Sequence, residues 1–378
     1  MNKKIVFVLG LIIIIVVALI SALGYFVTRK KDVSQEPKFV EVPEKNQESL
    51  LVIKEEAPLL PEKKEETESL EISQPTTTLE ENIKPLFDLE FVFIDLIYPY
   101  IYLYDPLEGI IKYLNLDDKS YKELYKSFSV YFPSVSPTRK RLILKDNKEW
   151  KIIDFSFDEI KNLNENINSF KWKNDELIFF AFDEERGGRI LKLSDFKKAP
   201  LILANLNLPQ AKIEIFGDNV LIWADPLISP FTPVFSLNLK NPKSVKLIFD
   251  KKVFPSFLSS EDNNYLFLSE EENGVFVSKI LDKNFKEIKK FNWVSSSEKC
   301  TFKKILVCGV SLNNVTYEEW LKLKRASRDK IIIYDPQKKE EKEITLNGNF
   351  DVVKPNISPL GLIFWNRNDA KLYVVNLE

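Results

Sequence analysis

The chain has 378 residues and a net charge of −2 at pH 7, with 44% hydrophobic and 29% charged residues. It contains no histidine, two cysteines and one methionine. This composition excludes Ser-His-Asp and Cys-His catalysis and histidine-ligated zinc, and it leaves few ligands for soft metals. The sequence also lacks the G-x-G-x-x-G and Walker patterns of nucleotide-binding loops. We therefore predict no cofactor, no metal site and no catalytic residue.

Residues 1–31 are predicted to form a transmembrane signal-anchor. Ile5 to Val27 is a run of 23 residues without a charge, and a helix of that length spans a hydrocarbon core of about 30 Å. Basic residues flank the run on both sides, so flanking charge does not decide its orientation. The alternative is a cleaved signal peptide with a site at Ala22-Leu23-Gly24, although the run exceeds the usual secretory length.

Residues 32–85 are predicted to be a disordered linker. The segment has 14 acidic and 6 basic residues, six prolines and no glycine. Its short apolar pairs are isolated by charge, so it cannot bury enough apolar surface to offset the entropy lost on ordering. The alternative is a partner-binding strip around Leu50 to Leu60.

Residues 86–378 are predicted to form an all-β domain built from a repeat. Apolar runs rich in Phe, Ile, Leu, Val and Tyr are separated by turn residues throughout the segment. The proposed turn after the first strand of each unit recurs at intervals of 38 to 43 residues, apart from a last interval of 56. The seven aligned positions are Asp95, Ser136, Asn174, Gly217, Ser260, Phe302 and Ser358. A four-stranded unit of this length is typical of a β-propeller blade, so we predict seven blades.

The seventh unit lacks a fourth strand, and a closed ring must avoid an open sheet edge. Two solutions remain open from the sequence. One borrows a strand from before Phe87, with Leu70 to Ile72 as an example, and the other uses Phe87 to Ile94 to close the ring. The alternation in Tyr98 to Tyr104 places Tyr on one strand face and Ile101 and Leu103 on the other, which we interpret as packing between blades.

Hairpins are predicted at Asn273-Gly274 and Gly187-Gly188, because tight two-residue turns need positive φ angles. Two acidic runs, Asp183 to Glu185 and Glu270 to Glu272, are predicted to be solvated turns. Calcium binding by these turns, or a pair of carboxylates acting on a glycoside, needs convergence that sequence spacing cannot show.

Cys300 and Cys308 flank a predicted tight turn at Lys303-Lys304. A three-residue loop would set them opposite each other, within reach of a disulfide. The alternative is two buried free thiols that pack as small apolar side chains. A disulfide would place the domain in an oxidising compartment outside the cytoplasm.

The last long interval contains an extra segment, Asn313 to Asp329. Apolar and basic side chains follow helical spacing within it, and the candidates for partner contact are Tyr317, Trp320, Lys324 and Arg325. A lid packed over one end of a blade is the equal alternative.

Two further patterns resemble a known family. Ser136-Pro137 before Leu142 and Trp150-Lys-Ile-Ile-Asp, and Ser358-Pro-Leu-Gly361 before Lys371-Leu-Tyr-Val-Val-Asn, resemble the TolB-like and WD40-like propeller repeat. The Asp-Gly pair usual in that repeat is mostly absent. The sixth unit, from Glu298 to Asp335, is similar to uncharacterised membrane-anchored propellers of candidate-phylum bacteria with small genomes. The resemblance implies no known activity.

We predict a non-catalytic protein of the cell envelope, anchored by one membrane span, whose propeller binds an extracytoplasmic protein. Residues 86–378 have a net charge of +1, so the electrostatic signature of nucleic-acid binding is missing. The alternative is recognition of a small ligand or glycan in the propeller channel, and a hydrolase is a more distant alternative.

Overall fold

The computed structural model describes residues 83–86, 91–313, 319 and 326–377. The predicted anchor, most of the predicted linker and the centre of the Asn313–Asp329 segment lie outside these residues. None of the helical residues in the described ranges forms a helix long and apolar enough to cross a membrane.

The described residues form seven four-stranded antiparallel sheets, each following the chain order except the last. Blade 1 contains β2 (Val92–Ile97), β3 (Tyr100–Asp105), β4 (Ile110–Asn115) and β5 (Tyr121–Lys126). Blade 2 contains β6 (Val130–Val135), β7 (Arg141–Asp146), β8 (Glu149–Asp154) and β9 (Glu159–Leu163). Blade 3 contains β10 (Ile167–Lys173), β11 (Glu176–Asp183), β12 (Gly187–Leu193) and β13 (Leu201–Leu206).

Blade 4 contains β14 (Ala211–Phe216), β15 (Asn219–Ala224), β16 (Phe231–Asn238) and β17 (Val245–Val253). Blade 5 contains β18 (Ser256–Ser259), β19 (Tyr265–Glu272), β20 (Val275–Asp282) and β21 (Glu287–Lys290). A 3-10 turn, Ser297–Lys299, precedes blade 6, which contains β22 (Cys300–Phe302), β23 (Leu306–Ser311), β24 (Asp329–Asp335) and β25 (Glu340–Ile344). Blade 7 contains β26 (Val352–Ser358), β27 (Gly361–Asn366), β28 (Lys371–Val375) and the N-terminal β1 (Ile83–Pro85).

The blades form a closed ring. First strands of successive blades contact one another, as in β2 with β6, β10 with β14 and β22 with β26. Blade 7 meets blade 1 through Lys354, whose Nζ donates to the Ile94 carbonyl at 2.7 Å, and through Asn356, whose Nδ2 donates to the Leu96 carbonyl at 3.2 Å. The all-β, seven-bladed propeller predicted from the repeat is confirmed.

The apolar core is divided among the blade interfaces. A separate cluster of buried residues fills each junction between neighbouring blades of the described chain. Because each blade is covered on both faces, its second strand is apolar without alternation, as in Leu177 to Phe180 of β11, which are 0% exposed. In β3, Tyr102 and Tyr104 pack towards blade 2 whereas Ile101 and Leu103 pack towards blade 7. The interpretation of that alternation as packing between blades is confirmed.

Strand β1 closes the ring as the outermost strand of blade 7. Its antiparallel register pairs Ile83 with Val375 and Pro85 with Tyr373. The closing strand therefore comes from before Phe87, as one of the two solutions predicted. It lies at residues 83–85 rather than 70–72, and it begins three residues before the predicted domain boundary at residue 86. The alternative closure by Phe87 to Ile94 is wrong, because Val92–Ile97 is the first strand of blade 1. A proline is tolerated there because an edge strand has no outer partner that needs its N–H.

Most of the turns lie at their predicted positions, and two do not. Asn273 and Gly274 both have positive φ angles, 52° and 81°, as the hairpin prediction requires. The first unit turns at Tyr98-Pro99 rather than at Asp95, which lies inside β2 beside a bulge. The hairpin of blade 3 turns before Gly187, the residue at which β12 begins.

The antiparallel order defines two ends of the ring. We call face A the end that carries the connections between the first and second and between the third and fourth strands of each blade. Face B carries the connections between the second and third strands and between blades. Because Ile83 pairs with Val375 at the end of β28, the chain reaches β1 from face A.

Candidate functional site

Four charged side chains extend from the first strands of different blades into the centre of the ring. They are Asp95 on β2, Lys171 on β10, Glu214 on β14 and Lys354 on β26. Lys354 interacts electrostatically with both Asp95 and Lys171, which come from blades on different sides of the ring. The four side chains therefore face a common central channel.

Lys171 and Glu214 form the closest ion pair of this set. The Lys171 Nζ atom lies 2.6 Å from Glu214 Oε2, and Ser259 Oγ donates to Glu214 Oε1 at 2.8 Å. The Glu214 side chain is 5% exposed, whereas that of Lys171 is 40% exposed towards the channel. Burial opposes the charged form of Lys171, but the adjacent Glu214 carboxylate outweighs it and raises the pKa of Lys171. The pair is charged and fixed in position.

Asp95 and Lys354 behave differently because neither forms an ion pair with another described residue. Burial raises the pKa of Asp95, although Lys354, the Leu96 N–H and Lys303 act against this. Burial also lowers the pKa of Lys354, and the positive charge of Lys171 adds to the effect, whereas Asp95 opposes it. The channel thus disfavours the charged forms of both residues, and an added counter-charge would be stabilising.

Two cavities occupy opposite ends of the channel. The face A cavity has a volume of about 360 Å³, and its polar lining comprises Asp95, Tyr98, Glu261, Lys303, Lys354 and Asn356. The face B cavity has a volume of about 200 Å³, and its polar lining includes Ser169, Lys171, Glu214, Ser256 and Glu298. Both ends can therefore hold a small polar group or the end of a chain.

Face B carries two groups of exposed large apolar side chains. Leu107, Phe128, Tyr131 and Phe132 form what we call the blade 1–2 patch, with exposed fractions of 87%, 69%, 58% and 66%. A Cβ atom added to Gly109 would lie 2.8 Å from the Phe128 ring, so Phe128 rests on the turn that carries Leu107. The Phe132 ring stacks on Trp150 at 6.1 Å. These contacts fix Phe128 against the turn of blade 1 and Phe132 against β8 of blade 2.

A second group of exposed apolar residues lies on face B at blades 4 and 5. Its members are Leu227, Ile228, Phe231 and Val275. The Lys251 ammonium lies 4.7 Å above the Phe231 ring. On face A, exposed large apolar side chains include Tyr98, Phe157, Ile357 and Leu360 in or beside the turns, and Tyr121, Leu201 and Ile202 at the starts of fourth strands.

Cys300 and Cys308 are joined by a disulfide in the structure. They are paired directly across β22 and β23, with a Cα–Cα distance of 4.1 Å, and the three residues 303–305 connect the two strands. Both residues are buried, at 4% and 0% exposed. The disulfide lies inside blade 6 and contributes to its packing rather than to a surface site.

The other candidate residues, Tyr317, Trp320, Lys324 and Arg325, lie outside the described residues. The ends of their segment lie at face B, between β23 and β24. Leu312 N donates to the Arg328 carbonyl at 2.7 Å, and Asn313 Nδ2 donates to the Ala326 carbonyl at 3.3 Å. The segment therefore leaves and rejoins blade 6 at one point of face B.

One acidic run differs from its prediction. Glu270 is 2% exposed and lies in β19, where its Oε1 accepts from Lys252 at 2.8 Å and from Lys279 at 3.3 Å. Glu272 accepts from Lys290 at 2.9 Å. This run is part of an ion-pair network that joins blades 4 and 5, so its interpretation as a solvated turn is wrong. No group of three acidic or cysteine side chains in the described ranges is arranged to hold a metal ion.

A strained backbone motif was missed by the sequence reasoning. Phe132, Phe254 and Lys354 each precede a proline and have φ angles of 51°, 46° and 48°. Positive φ is rare for bulky residues, and a following proline restricts the backbone further. The signal was present as X-Pro-Ser or X-Pro-Asn near the first strand of units two, five and seven. This backbone motif positions Phe132 on face B and Lys354 in the channel.

Solved structures of other propellers share this fold. An oligogalacturonate lyase from Vibrio parahaemolyticus has a TM-score of 0.56 at 10% identity, covering 78% of this chain and 93% of that one. An uncharacterised protein from Listeria monocytogenes has a TM-score of 0.55 at 13% identity, covering 80% and 97%. TolB from Acinetobacter baumannii matches at 16% identity with a TM-score of 0.42, covering 65% and 62%. At 10% and 13% identity, the similarity to the first two structures shows the fold alone.

No protein-family profile matches the chain, and no curated protein matches it. Activity and partners must therefore be argued from the surfaces described above.

Proposed function

We propose that this protein is a non-catalytic interaction platform of the cell envelope, in which face B of the propeller binds a protein partner. The observation that carries the proposal is the blade 1–2 patch. Large exposed apolar patches on a folded domain are typical of interaction surfaces, and aromatic residues are enriched at the centres of such surfaces. Leu107, Phe128 and Phe132 are each more than 65% exposed.

The path of the chain supports the choice of face B. Ile83, where β1 begins, lies at the face A end of blade 7. A tether that begins in a membrane anchor at residues 5–27 would therefore attach on the side opposite the patch. The described ends of the Asn313–Asp329 segment also lie at face B, and we include its aromatic and basic residues in the proposed interface.

The proposal includes an extracytoplasmic location for the propeller. The disulfide between Cys300 and Cys308 supports it, because disulfides persist in oxidising compartments. Protease treatment of intact cells, followed by detection of the propeller, tests the orientation. We expect cleavage in intact cells, whereas protection in intact cells with cleavage in inverted vesicles would contradict it.

A double substitution tests the assignment of partner binding to face B. We expect Phe128→Ser with Phe132→Ser to abolish the in-cell crosslinked adduct formed by the native protein while the melting temperature of the domain stays within a few degrees. The matched control is Phe157→Ser, because Phe157 is an aromatic residue of similar exposure, 62%, on face A. Loss of the adduct in the control but not in the double variant would overturn the assignment to face B.

A second candidate function is recognition of a small polar ligand or glycan in the channel. The observation in its favour is the convergence of Asp95, Lys354 and Tyr98 on the face A cavity. Glycan binding typically uses aromatic and carboxylate side chains that converge in one cavity. Calorimetric titration with neutral and acidic oligosaccharides tests this candidate, and saturable heats that Lys354→Met removes would support it.

A further inference from the structure

The face A cavity continues into a second cavity between blades 6 and 7. This second cavity has a volume of about 260 Å³, and its apolar lining comprises Ile305, Val307, Pro355 and Ile357. Four residues line both cavities, namely Glu261, Thr301, Lys303 and Asn356. The two cavities therefore form one continuous cleft, which we call the face A cleft, with an apolar end and a charged end.

The face A cleft as a whole has one more ammonium group than carboxyl groups. Lys303, Lys304 and Lys354 line it together with the carboxyl groups of Asp95 and Glu261. Burial raises the pKa of Asp95 and so reduces its negative charge, while burial lowers the pKa of Lys354. A ligand anion beside Lys354 would offset the loss of hydration of its ammonium group. The cleft thus favours a negatively charged ligand.

Asn356 has an unpaired hydrogen-bond acceptor, which is a second, independent constraint on the ligand. Its side chain is 6% exposed and donates from Nδ2 to the Leu96 carbonyl at 3.2 Å, which fixes the orientation of the amide. The Oδ1 atom accepts no hydrogen bond from the described residues. A buried acceptor without a donor costs about 1–3 kcal/mol. A ligand that carries an N–H group can supply the missing donor.

We propose that the face A cleft binds the C-terminal residue of an extended peptide that ends in an apolar amino acid. The free carboxylate lies between Lys303 and Lys354, the backbone N–H of the last residue donates to Asn356, and its side chain occupies the space among Ile305, Val307 and Ile357. Capture of a terminal carboxylate is a known mode of peptide recognition, and this combination of groups matches it. The site is on the opposite face from the blade 1–2 patch and does not depend on it.

The test uses the full-length protein and a fluorescein-labelled hexapeptide that ends in Ala-Leu with a free carboxylate. Fluorescence anisotropy should show saturable binding. The same peptide with a C-terminal carboxamide should bind at least about tenfold more weakly, because hydrogen bonds to a charged group are worth about 1.5–3 kcal/mol. A peptide that ends in Ala-Asp should also bind more weakly, since the apolar end of the cleft cannot solvate its side chain.

Substitutions of residues that line the face A cleft test whether the peptide binds there. Lys303→Gln should weaken binding of the free-carboxylate peptide at least about fivefold, and Ile357→Ser should weaken it without removing the preference for the carboxylate. The matched control is Lys338→Gln, since Lys338 is an exposed lysine on the same face of the same blade. Lack of binding by the Ala-Leu peptide at a protein concentration of about 1 mM, which means a Kd weaker than about 1 mM, would overturn the proposal. Equal binding of the acid and the amide, or equal effects of the two lysine variants, would also overturn it.

Discussion

Lys299 and Asp329 form a buried ion pair in which Nζ lies 2.6 Å from Oδ2, with side-chain exposures of 6% and 0%. Lys299 also lies 3.0 Å from Oδ1 of Asp351 at the start of blade 7, and it contacts Ser327. Ser327 Oγ in turn donates to Asp351 at 2.8 Å. This cluster joins Ser327 and Asp329, where the chain re-enters blade 6, to the start of blade 7.

Replacing the lysine should be strongly destabilising. Lys299→Met leaves the carboxyl groups of Asp329 and Asp351 in a buried site without their shared cation, and breaking a buried pair in this way typically costs about 3–5 kcal/mol. Urea unfolding measures the free energy. As a control, Lys198→Met removes an exposed lysine paired with Asp195 and should change stability by less than about 1 kcal/mol. Equal effects in the two variants would show that the buried cluster contributes no more than a surface pair.

The ion pairs of Glu272 should make stability depend on pH. Burial raises its pKa, but hydrogen bonds from Lys279 and Lys290 outweigh this and bring the pKa from 4.5 to about 2. A lowered folded-state pKa contributes stability that is present above pH 4.5 and is lost as the pH falls towards 2. Glu272→Gln should therefore lose less stability than the native protein between pH 5 and pH 3 in urea unfolding.

The control for this pH dependence is Glu340→Gln, which replaces an exposed carboxylate of blade 6. It should follow the native protein across the same interval. If Glu272→Gln lost as much stability as the native protein on acidification, the acid sensitivity of the domain would have to arise from other carboxylates.

The disulfide should be present in the native protein and should stabilise blade 6. Alkylation without reduction, followed by mass spectrometry, should find neither Cys300 nor Cys308 labelled. Because the closed loop is short, with a sequence separation of 8, replacement of both cysteines by alanine should cost about 2–3 kcal/mol. Two labelled thiols in the protein isolated from its native compartment would contradict both the disulfide and the argument for an oxidising location.

Gly188 should tolerate no larger residue. A Cβ atom there would lie 2.5 Å from the Leu208 carbonyl oxygen and 2.6 Å from the Phe180 ring. Gly188→Ala should therefore destabilise blade 3 by about 1–3 kcal/mol. Gly217→Ala is the comparison, since Gly217 has a φ of 62° but nothing within 4 Å of an added Cβ. It should cost about 1 kcal/mol through backbone strain alone, and thermal melting will rank the two.

Much of the fold could be predicted because each blade repeats one pattern of apolar strands and turns. The alternation of Tyr102 and Tyr104 with Ile101 and Leu103 specified which side chains face which neighbouring blade. The closing strand could not be located, because a three-residue strand such as Ile83–Pro85 carries no periodic signal. Only its pairing with β28 shows that it belongs to the ring.

The site was harder to predict because its residues are brought together by ring closure. Lys354 and Ile94 make a hydrogen bond across 260 positions of sequence, and no local pattern connects them. Glu270 appeared to lie in a solvated turn because its partners are not adjacent to it in sequence: Lys279 is on the neighbouring strand and Lys252 is on blade 4. The repeated X-Pro motif at Phe132, Phe254 and Lys354 is visible in the sequence, but the positive φ angles of these residues could not be predicted from it.

The most direct test of the interaction platform is site-specific photo-crosslinking in intact cells. A photoreactive amino acid is placed at Leu107 on face B, which is 87% exposed, and in a separate strain at Leu360 on face A, which is 46% exposed. We expect a discrete protein adduct from position 107, its loss when Phe128→Ser and Phe132→Ser are added, and no such adduct from position 360. An adduct from position 360 alone, or one from position 107 that survives the double substitution, would contradict face B as the partner-binding surface.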